Sequence, residues 1–347
     1  MRGNTLFSPG ARWQAAGWPL LLAVLVGIFY FRVLFQNAIF VFVDSSRFFY
    51  PFWKWGGAVL HQGLIPLWNP DAQFGTPYLA DTQMAAAYPP LFLAYGLFSP
   101  TNAFAGLLVL HHLWAVLGFW FWARHERFTP PAAFLGSLAF GFSLHVVCSS
   151  WTPVALFAIS WIPWIFWAAQ GIWEDYRGSV LGLSLAWAMQ IAAGYPVLSY
   201  LTGLALAAHL LWKSLWPWPR VDWFGKLRWF PGFALAAGLA LLYNMVWAVP
   251  FAELFGLTNY QNGASAHHAL GWADLASWLS PFYRGSPLLP GAPEQPYWIS
   301  TYFMGWPVAA LLVWGFWKGV FLRTSVFLSL LFLILSLGGT LFWGGAV

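Results

Sequence analysis

Three charged residues with helical spacing stand close together near the start of the chain. Asp44 is followed by Arg47 and Lys54, and the two cations are seven residues apart, so they share one face of a helix that begins near Asp44. A carboxylate beside two cations can remove a proton while the cations hold a phosphate. The alternative is that Asp44 only caps the helix and the cations only meet lipid headgroups. The residue types leave both interpretations open.

Side chains of the kind that bind carbohydrates follow in the same segment. Sugar sites commonly pair an aromatic platform with amides and carboxylates that hydrogen-bond to hydroxyl groups, and Pro and Gly fix the turns here. The candidates for this role are Trp68, Asn69, Asp81, Gln83 and Tyr88. The alternative is a folded lid whose polar groups bond to one another.

The amino-acid composition predicts the environment of the helices that must position these residues. Only 7% of the 347 residues are charged, whereas 60% are hydrophobic and 21% are aromatic. A soluble domain carries about 25% charged residues, so this chain could not cover a water-soluble fold and the bilayer has to be its solvent. The long, continuous apolar runs exclude a β-barrel and predict an all-α polytopic membrane protein. The lone Cys148 excludes an internal disulfide.

Nine apolar segments are long enough, or nearly so, to cross about 30 Å of hydrocarbon as helices. They are Ala15–Phe35, Asn102–Ala123, Pro131–Cys148, Thr152–Ile172, Gly178–Gly194, Val197–Trp212, Phe230–Phe251, Tyr302–Trp317 and Thr324–Trp343. Two stretches rich in polar residues, Pro and Gly, residues 44–100 and 253–300, are predicted to be long loops. The apolar segment Tyr88–Phe98 has only eleven residues, and we interpret it as non-spanning.

The distribution of charged residues predicts how the spans are oriented in the membrane. If the N-terminus is cytoplasmic, eleven of the fifteen basic residues fall on the inner side, as the positive-inside rule expects. Both long loops are then extracytoplasmic, and they hold six of the ten acidic residues. The net charge of +5 therefore follows from membrane orientation and does not predict a nucleic-acid partner.

The remaining polar residues suggest no resident cofactor. His111 and His112 are adjacent in a predicted span, so they face different directions, and helix–helix hydrogen bonds explain them better than a metal. We interpret His267 and His268 as solvated loop residues. Glu253, at the outer end of a span, is a candidate second carboxylate, with a plain interfacial acid as the alternative. No cofactor is expected, although a divalent cation stays an open alternative.

Several short motifs follow one another along residues 18–320. In the first loop they are Tyr50-Pro51-Phe52 after Asp44, Gly63-Leu64-Ile65-Pro66-Leu67-Trp68-Asn69-Pro70, Phe74-Gly75-Thr76-Pro77, Gln83 and Tyr88-Pro89. Further along they are Gly194-Tyr195-Pro196, Pro250-Phe251-Ala252-Glu253-Leu254, Trp278-Leu279-Ser280-Pro281 and Tyr302-Phe303-Met304-Gly305. In this order they resemble the bacterial YfhO-type membrane proteins, a family within the GT-C superfamily of polytopic glycosyltransferases.

The resemblance implies an inverting sugar transfer at the extracytoplasmic face of the bacterial inner membrane. The donor would be a polyprenyl-phosphate sugar and the acceptor a cell-envelope glycan or lipid. Asp44 would be the general base, while Arg47, Lys54 and Arg284 would neutralise the leaving phosphate. The sugar hydroxyls would be oriented by the loop residues Trp68, Asn69, Asp81 and Gln83, with Tyr88 and Glu253 as further substrate contacts.

Two departures from the family pattern bear on this implication. Thr258-Asn259-Tyr260 stands where the family often has Ser-x-Arg, so a phosphate-binding arginine is missing there unless Arg284 replaces it. The chain ends at Gly344-Gly345-Ala346-Val347, directly after an apolar run, whereas family members usually continue with more spans. We therefore expect a single GT-C-like module that is C-terminally truncated.

Two other function classes are open. A transporter or flippase of lipid-linked glycans usually has intramembrane charges and two related halves, whereas here the acids gather in the outer loops and no repeat is visible. A non-catalytic membrane scaffold is the third class. The sequence does not specify the donor sugar, the acceptor or the oligomeric state.

Overall fold

The protein is mostly helical in the part that the computed structural model describes, which is residues 9–36, 44–215 and 229–257, with one short hairpin. The helices are α1 Pro9–Phe29, α2 Phe31–Phe35, α3 Tyr50–His61, α4 Pro89–Leu97, α5 Pro100–His125, α6 Pro130–Gly141, α7 Leu144–Cys148, α8 Pro153–Trp173, α9 Ser179–Ala192, α10 Pro196–Leu215 and α11 Phe230–Leu257. The hairpin pairs β1 Trp68–Asn69 with β2 Thr76–Pro77, antiparallel. The predicted all-α class is confirmed for these residues.

Three described helices, α5, α8 and α11, are long and apolar enough to cross a membrane. A fourth candidate is the pair formed by α6 and the following segment Leu144–Trp151, if the two are counted as one broken span. These helices match the predicted spans Asn102–Ala123, Thr152–Ile172, Phe230–Phe251 and Pro131–Cys148. The prediction of nine spans is thus supported only for three or four of them.

The other predicted spans differ from the helices that form, or fall elsewhere in the chain. The segment predicted as Ala15–Phe35 is divided at Tyr30 into α1 and α2. In place of Gly178–Gly194, α9 has 14 residues and is about 21 Å long, shorter than the hydrocarbon layer. The apolar part of α10 is Pro196–Leu211, which is shorter than the helices that qualify as candidate spans. Tyr302–Trp317 and Thr324–Trp343 lie outside the described residues.

The described residues form two compact units. The first contains the described residues up to 141, together with 149–203 and 229–257. The second contains the described residues 142–148 and 204–215. Every contact used below lies inside the first unit.

Helices α5 and α8 pack side by side and run in the same direction. Near the middle of α5, the His111 ring stacks on Phe157 with centroids 4.0 Å apart. At the far end, His125 Nε2 lies 3.2 Å from the Glu174 carboxylate. Because both pairs follow the same order along the two helices, α5 and α8 are parallel. The N-terminal ends of α5 and α8 lie at the same end of the bundle, and the first loop is attached there.

Helices α9 and α11 complete the bundle of the first unit. Gln190, near the end of α9, donates to the Ala158 carbonyl near the start of α8 at 3.1 Å, so these two helices are antiparallel. Asn244 of α11 donates to the Ala188 carbonyl of α9 at 3.1 Å. These buried amides hold the helices together because a lone polar group in an apolar interior is costly.

The first loop, residues 44–100, is a folded structure rather than an extended connection. It starts with a π-helical turn, Ser45–Phe49, that continues into α3, and it ends with α4. Helix α4 has nine residues and is about 13 Å long, too short to cross the hydrocarbon layer. This length agrees with the interpretation of Tyr88–Phe98 as non-spanning.

The apolar face of α3 is covered by protein. Trp53 is only 1% exposed, and its ring stacks on Phe157 of α8 with centroids 5.7 Å apart. Its indole N–H donates to the Met84 carbonyl at 3.1 Å. Phe48 and Phe52 pack against the cluster of Tyr78, Met84 and Ala86. The aromatic rings of this face therefore have protein partners rather than lipid.

Candidate functional site

Three segments of the chain meet where the first loop packs on the bundle. The Ser45 hydroxyl, next to Asp44, donates to the Trp151 carbonyl just before α8 at 2.8 Å. The Thr82 carbonyl lies against Gly194, just after α9. Phe48, in the same turn as Arg47, packs on the cluster that contains Met84. The turns that carry Asp44, Arg47, Asp81 and Gln83 are therefore anchored to the same end of the bundle.

Asp44 is exposed at the N-cap position of the π-helical turn. Its backbone is helical, with φ −68° and ψ −41°, and its side chain makes no capping hydrogen bond. The geometric reason is that a capping side chain usually requires an extended backbone at this position. The interpretation of Asp44 as a side-chain cap is wrong, and its carboxylate is left accessible to solvent.

Arg47 and Lys54 lie on the exposed face of the same helical segment. The buried positions Ser45, Phe49 and Trp53 recur every four residues and face the protein. Arg47 and Lys54 fall on the opposite side, and neither makes an ion pair with another described residue. Two unpaired cations on one accessible face can hold a phosphate group.

Asp81 has a partly buried carboxylate at the start of a short 3₁₀ turn, Thr82–Met84. Its Oδ1 accepts a hydrogen bond from the Gln83 backbone N–H at 2.9 Å. Burial raises the pKa of this carboxyl, and the Gln83 N–H offsets part of the rise. An acid with a raised pKa accepts a proton more readily near neutral pH. The Gln83 side chain is exposed beside it.

Trp68 forms an aromatic surface on the hairpin. Its ring lies against the backbone of Gly75, where φ is +109° and where a Cβ atom would meet the indole at 2.8 Å. Only glycine fits this position, because the backbone is left-handed and the space is taken. The side chain is 55% exposed, so its outer surface is free to stack on a sugar ring.

Asn69 and Tyr88, both predicted to bind sugar, are buried. The Asn69 Oδ1 atom accepts from the Asp71 backbone N–H at 3.0 Å and stabilises the hairpin. The Tyr88 hydroxyl lies 2.6 Å from His111 Nε2 and accepts from the Trp161 indole N–H at 2.9 Å. The polar groups of Asn69 and Tyr88 therefore bond to other protein groups and stabilise the folded loop, as in the alternative to a sugar site.

The histidine pair is explained by hydrogen bonds between segments. His111 Nδ1 lies 2.6 Å from the Leu107 carbonyl, so it carries the proton, and Nε2 accepts from the Tyr88 hydroxyl. His112 Nδ1 lies 3.2 Å from the Tyr30 hydroxyl. The prediction of structural histidines is confirmed. Among the described residues there is no group of three His, Cys, Asp or Glu side chains that could hold a metal ion.

The second-carboxylate candidate lies on α11. Glu253 is exposed near the end of this helix and makes no ion pair with another described residue. The same helix contacts the first loop ten residues earlier, where the Tyr243 hydroxyl donates to the Ala87 carbonyl at 2.8 Å. Arg284 and most of the predicted second loop, residues 253–300, lie outside the described residues.

Sequence reasoning missed the two contacts that organise the site. Trp53 was not among the predicted site residues, yet it joins α3, α8 and the 3₁₀ turn. Gly194 was noted only as a motif residue, yet it contacts Thr82. The neighbouring Gly56 and Gly57 are a usable signal, because a Cβ on Gly57 would meet Tyr95 at 3.0 Å, which indicates close packing of α3.

Fold and site together define a helical protein with helices long and apolar enough to span a membrane and with a folded polar loop at one end of the bundle. Comparison with protein-family models, with curated proteins and with solved structures gives no match. The function therefore has to be argued from the site itself.

Proposed function

We propose that the chain is a membrane glycosyltransferase that transfers a sugar from a polyprenyl-phosphate donor to a cell-envelope acceptor on the extracytoplasmic face. The contact between Thr82 and Gly194 carries this proposal. It anchors the loop turn with Asp81 and Gln83 to the end of α9, so that motif segments far apart in sequence belong to one surface. A donor with a long apolar tail suits a site at the end of a bundle of apolar helices.

In this proposal the acceptor hydroxyl attacks the anomeric carbon from the face opposite the phosphate. The bond between that carbon and the phosphate oxygen breaks, and the configuration inverts. Asp44 takes the proton of the acceptor hydroxyl, because its carboxylate is exposed and makes no capping hydrogen bond. Arg47 and Lys54 stabilise the negative charge that develops on the leaving phosphate.

The sugar ring is held by the hairpin and the 3₁₀ turn. Trp68 offers an exposed ring for stacking. The second carboxylate oxygen of Asp81 and the exposed amide of Gln83 can orient hydroxyl groups. Asn69 and Tyr88 support the loop from inside and are no longer proposed as substrate contacts. Glu253 and Arg284 remain proposed contacts, as they were from the sequence.

The test uses the full chain reconstituted in liposomes with a series of polyprenyl-phosphate sugars. Donor cleavage by the wild type and its loss in Asp44→Asn, by about 100- to 10,000-fold, would support the enzyme and its base. Asp71→Asn is the matched control, because Asp71 is an exposed acid of the same loop that accepts from the Trp55 indole at 3.1 Å. It should keep wild-type turnover.

Other outcomes separate the remaining function classes. Movement of the intact donor across the bilayer without cleavage would identify a flippase. Wild-type turnover in Asp44→Asn would remove Asp44 from the mechanism. Failure of every donor to react or move would favour the non-catalytic scaffold.

A further inference from the structure

A groove of about 490 Å³ runs between α5, α8 and α9. Its mouth, at His125 and Arg177, lies at the end of the bundle remote from the first loop, whereas its inner part reaches Trp114 and Trp161, and Trp161 bonds to Tyr88 of that loop. Thr101, at the start of α5, lies 3.1 Å from Tyr50 of α3, whereas His125, at the end of α5, lines the groove. Thr101 and His125 are 24 residues apart on α5, so the mouth of the groove lies about 36 Å from the contact with α3. The mouth of the groove, where a headgroup would bind, is therefore distinct from the proposed sugar-transfer site.

The walls of the groove are aromatic and its floor is made of small residues. Trp114 and Trp164 stack with ring centroids 4.1 Å apart and line it together with Trp161 and Trp167. On α9, Gly182 leaves space, because the nearest atom to a Cβ built there is the Ala168 Cβ at 3.8 Å. The volume of the groove is within the range of ligand pockets, about 300–1,000 Å³.

The mouth of the groove carries one cation without a described partner. His125 is paired with Glu174 at 3.2 Å, so these two side chains can balance one another. Arg177 also lines the mouth, is exposed, and makes no ion pair with another described residue. The neighbouring acid, Asp175, does not line the groove. An anion at the mouth would therefore meet an available guanidinium group.

We propose that this groove binds one membrane phospholipid, with an acyl chain against the tryptophans and an anionic phosphate headgroup at Arg177. The walls fit an apolar chain, and the guanidinium group fits a phosphate as a bidentate donor. Basic pockets between apolar helices at the cytoplasmic side commonly bind anionic lipids, and the charge pattern predicts that this end is cytoplasmic. The proposal does not depend on the sugar-transfer function.

The test is native mass spectrometry of the full chain in detergent, titrated with phosphatidylglycerol and with phosphatidylcholine. The wild type should retain phosphatidylglycerol preferentially. Gly182→Phe should fill the groove and weaken binding of both lipids by about tenfold or more, since several methylene groups lose their site. Arg177→Gln should weaken phosphatidylglycerol binding by about fivefold and phosphatidylcholine binding less, because the choline cation already offsets the phosphate charge, so the preference for phosphatidylglycerol should shrink.

Two matched variants control for general effects. Leu181→Phe places the same ring on the exposed neighbouring position of α9, and Arg127→Gln removes an exposed cation that does not line the groove. Both should bind lipid as the wild type does. Equal affinity for the two lipids, unchanged binding in Gly182→Phe, or a wild type that retains no lipid and forms dimers would overturn the proposal.

A measurement on the wild type keeps the proposal testable if the variants do not fold. Phosphatidylglycerol with a photoreactive acyl chain should label peptides within residues 114–125 and 161–186. Labelling elsewhere on the chain, with none in these two ranges, would also overturn the proposal.

Discussion

Gly194 lies against the backbone carbonyl of Thr82, with φ at +91° and no room for a Cβ atom. This contact attaches the 3₁₀ turn of the first loop to the end of α9. Because one partner is a backbone carbonyl, it cannot rotate away as a side-chain end could. The position of Asp81 and Gln83 on the bundle thus depends on a residue that carries no side chain.

Gly194→Ala should destabilise the protein more than Gly63→Ala. Both glycines have positive φ, +91° and +77°, so each substitution carries the left-handed backbone penalty of about 1–2 kcal/mol. Nothing lies within 4 Å of a Cβ on Gly63, whereas a Cβ on Gly194 would collide with Thr82. Thermal unfolding in one detergent measures both variants. Equal midpoints would contradict the close contact.

Tyr88→Phe should lower the free energy of unfolding by about 1–3 kcal/mol. The change leaves His111 Nε2 without a donor and the Trp161 indole N–H without its acceptor, both inside the protein. Tyr50→Phe is the control, because its hydroxyl meets Thr101 at a half-buried position. The unfolding midpoint should fall further for Tyr88→Phe than for Tyr50→Phe. A larger fall for Tyr50→Phe would contradict the buried hydrogen bonds of Tyr88 to His111 and Trp161.

Asp81 should make the stability depend on pH. Burial raises the pKa of its carboxyl above the ordinary 3.8, so the folded state binds the proton more tightly than the unfolded state. Its contribution to stability is therefore greatest below the ordinary pKa and decreases as the pH rises through the raised one. Asp81→Asn keeps an acceptor for the Gln83 N–H without a charge, so it should remove this decrease.

Unfolding of the wild type and of Asp81→Asn across the pH range measures this contribution as the difference between their midpoints. Asp71→Asn serves as the reference for an exposed acid of the same loop. Parallel pH profiles for the wild type and Asp81→Asn would show that the carboxyl is not desolvated.

Trp68→Ala should raise the KM for the sugar donor about 3- to 10-fold with little change in kcat, because stacking holds the ground state and the transition state alike. Trp68→Phe should retain most of the affinity. Phe74→Ala removes a fully exposed ring of the same hairpin and should leave both constants unchanged. A KM that is equally affected by Phe74→Ala would point to a general role of the hairpin.

Much of the helical organisation was predictable because apolar runs of membrane length are encoded locally. The candidate spans α5, α8 and α11 follow from hydropathy, and the interpretation of α4 as non-spanning followed from its short length and from the charge bias of the loops. The burial of Asn69 and Tyr88 was not predictable, because the same polar side chains suit a sugar or a neighbouring backbone equally well. Which partner a side chain takes depends on residues distant in sequence, such as His111 for Tyr88.

The sequence by itself indicated helices apolar and long enough to span a membrane, the helical class of the protein, and a first loop that carries accessible charged residues. Those properties are sums over many residues, so a wrong interpretation of any single residue does not change them. Only the tertiary structure decided that Trp53 faces Phe157, that Asp44 makes no capping bond and that Thr82 meets Gly194. Such contacts depend on packing between segments far apart in the chain, which helical periodicity does not encode.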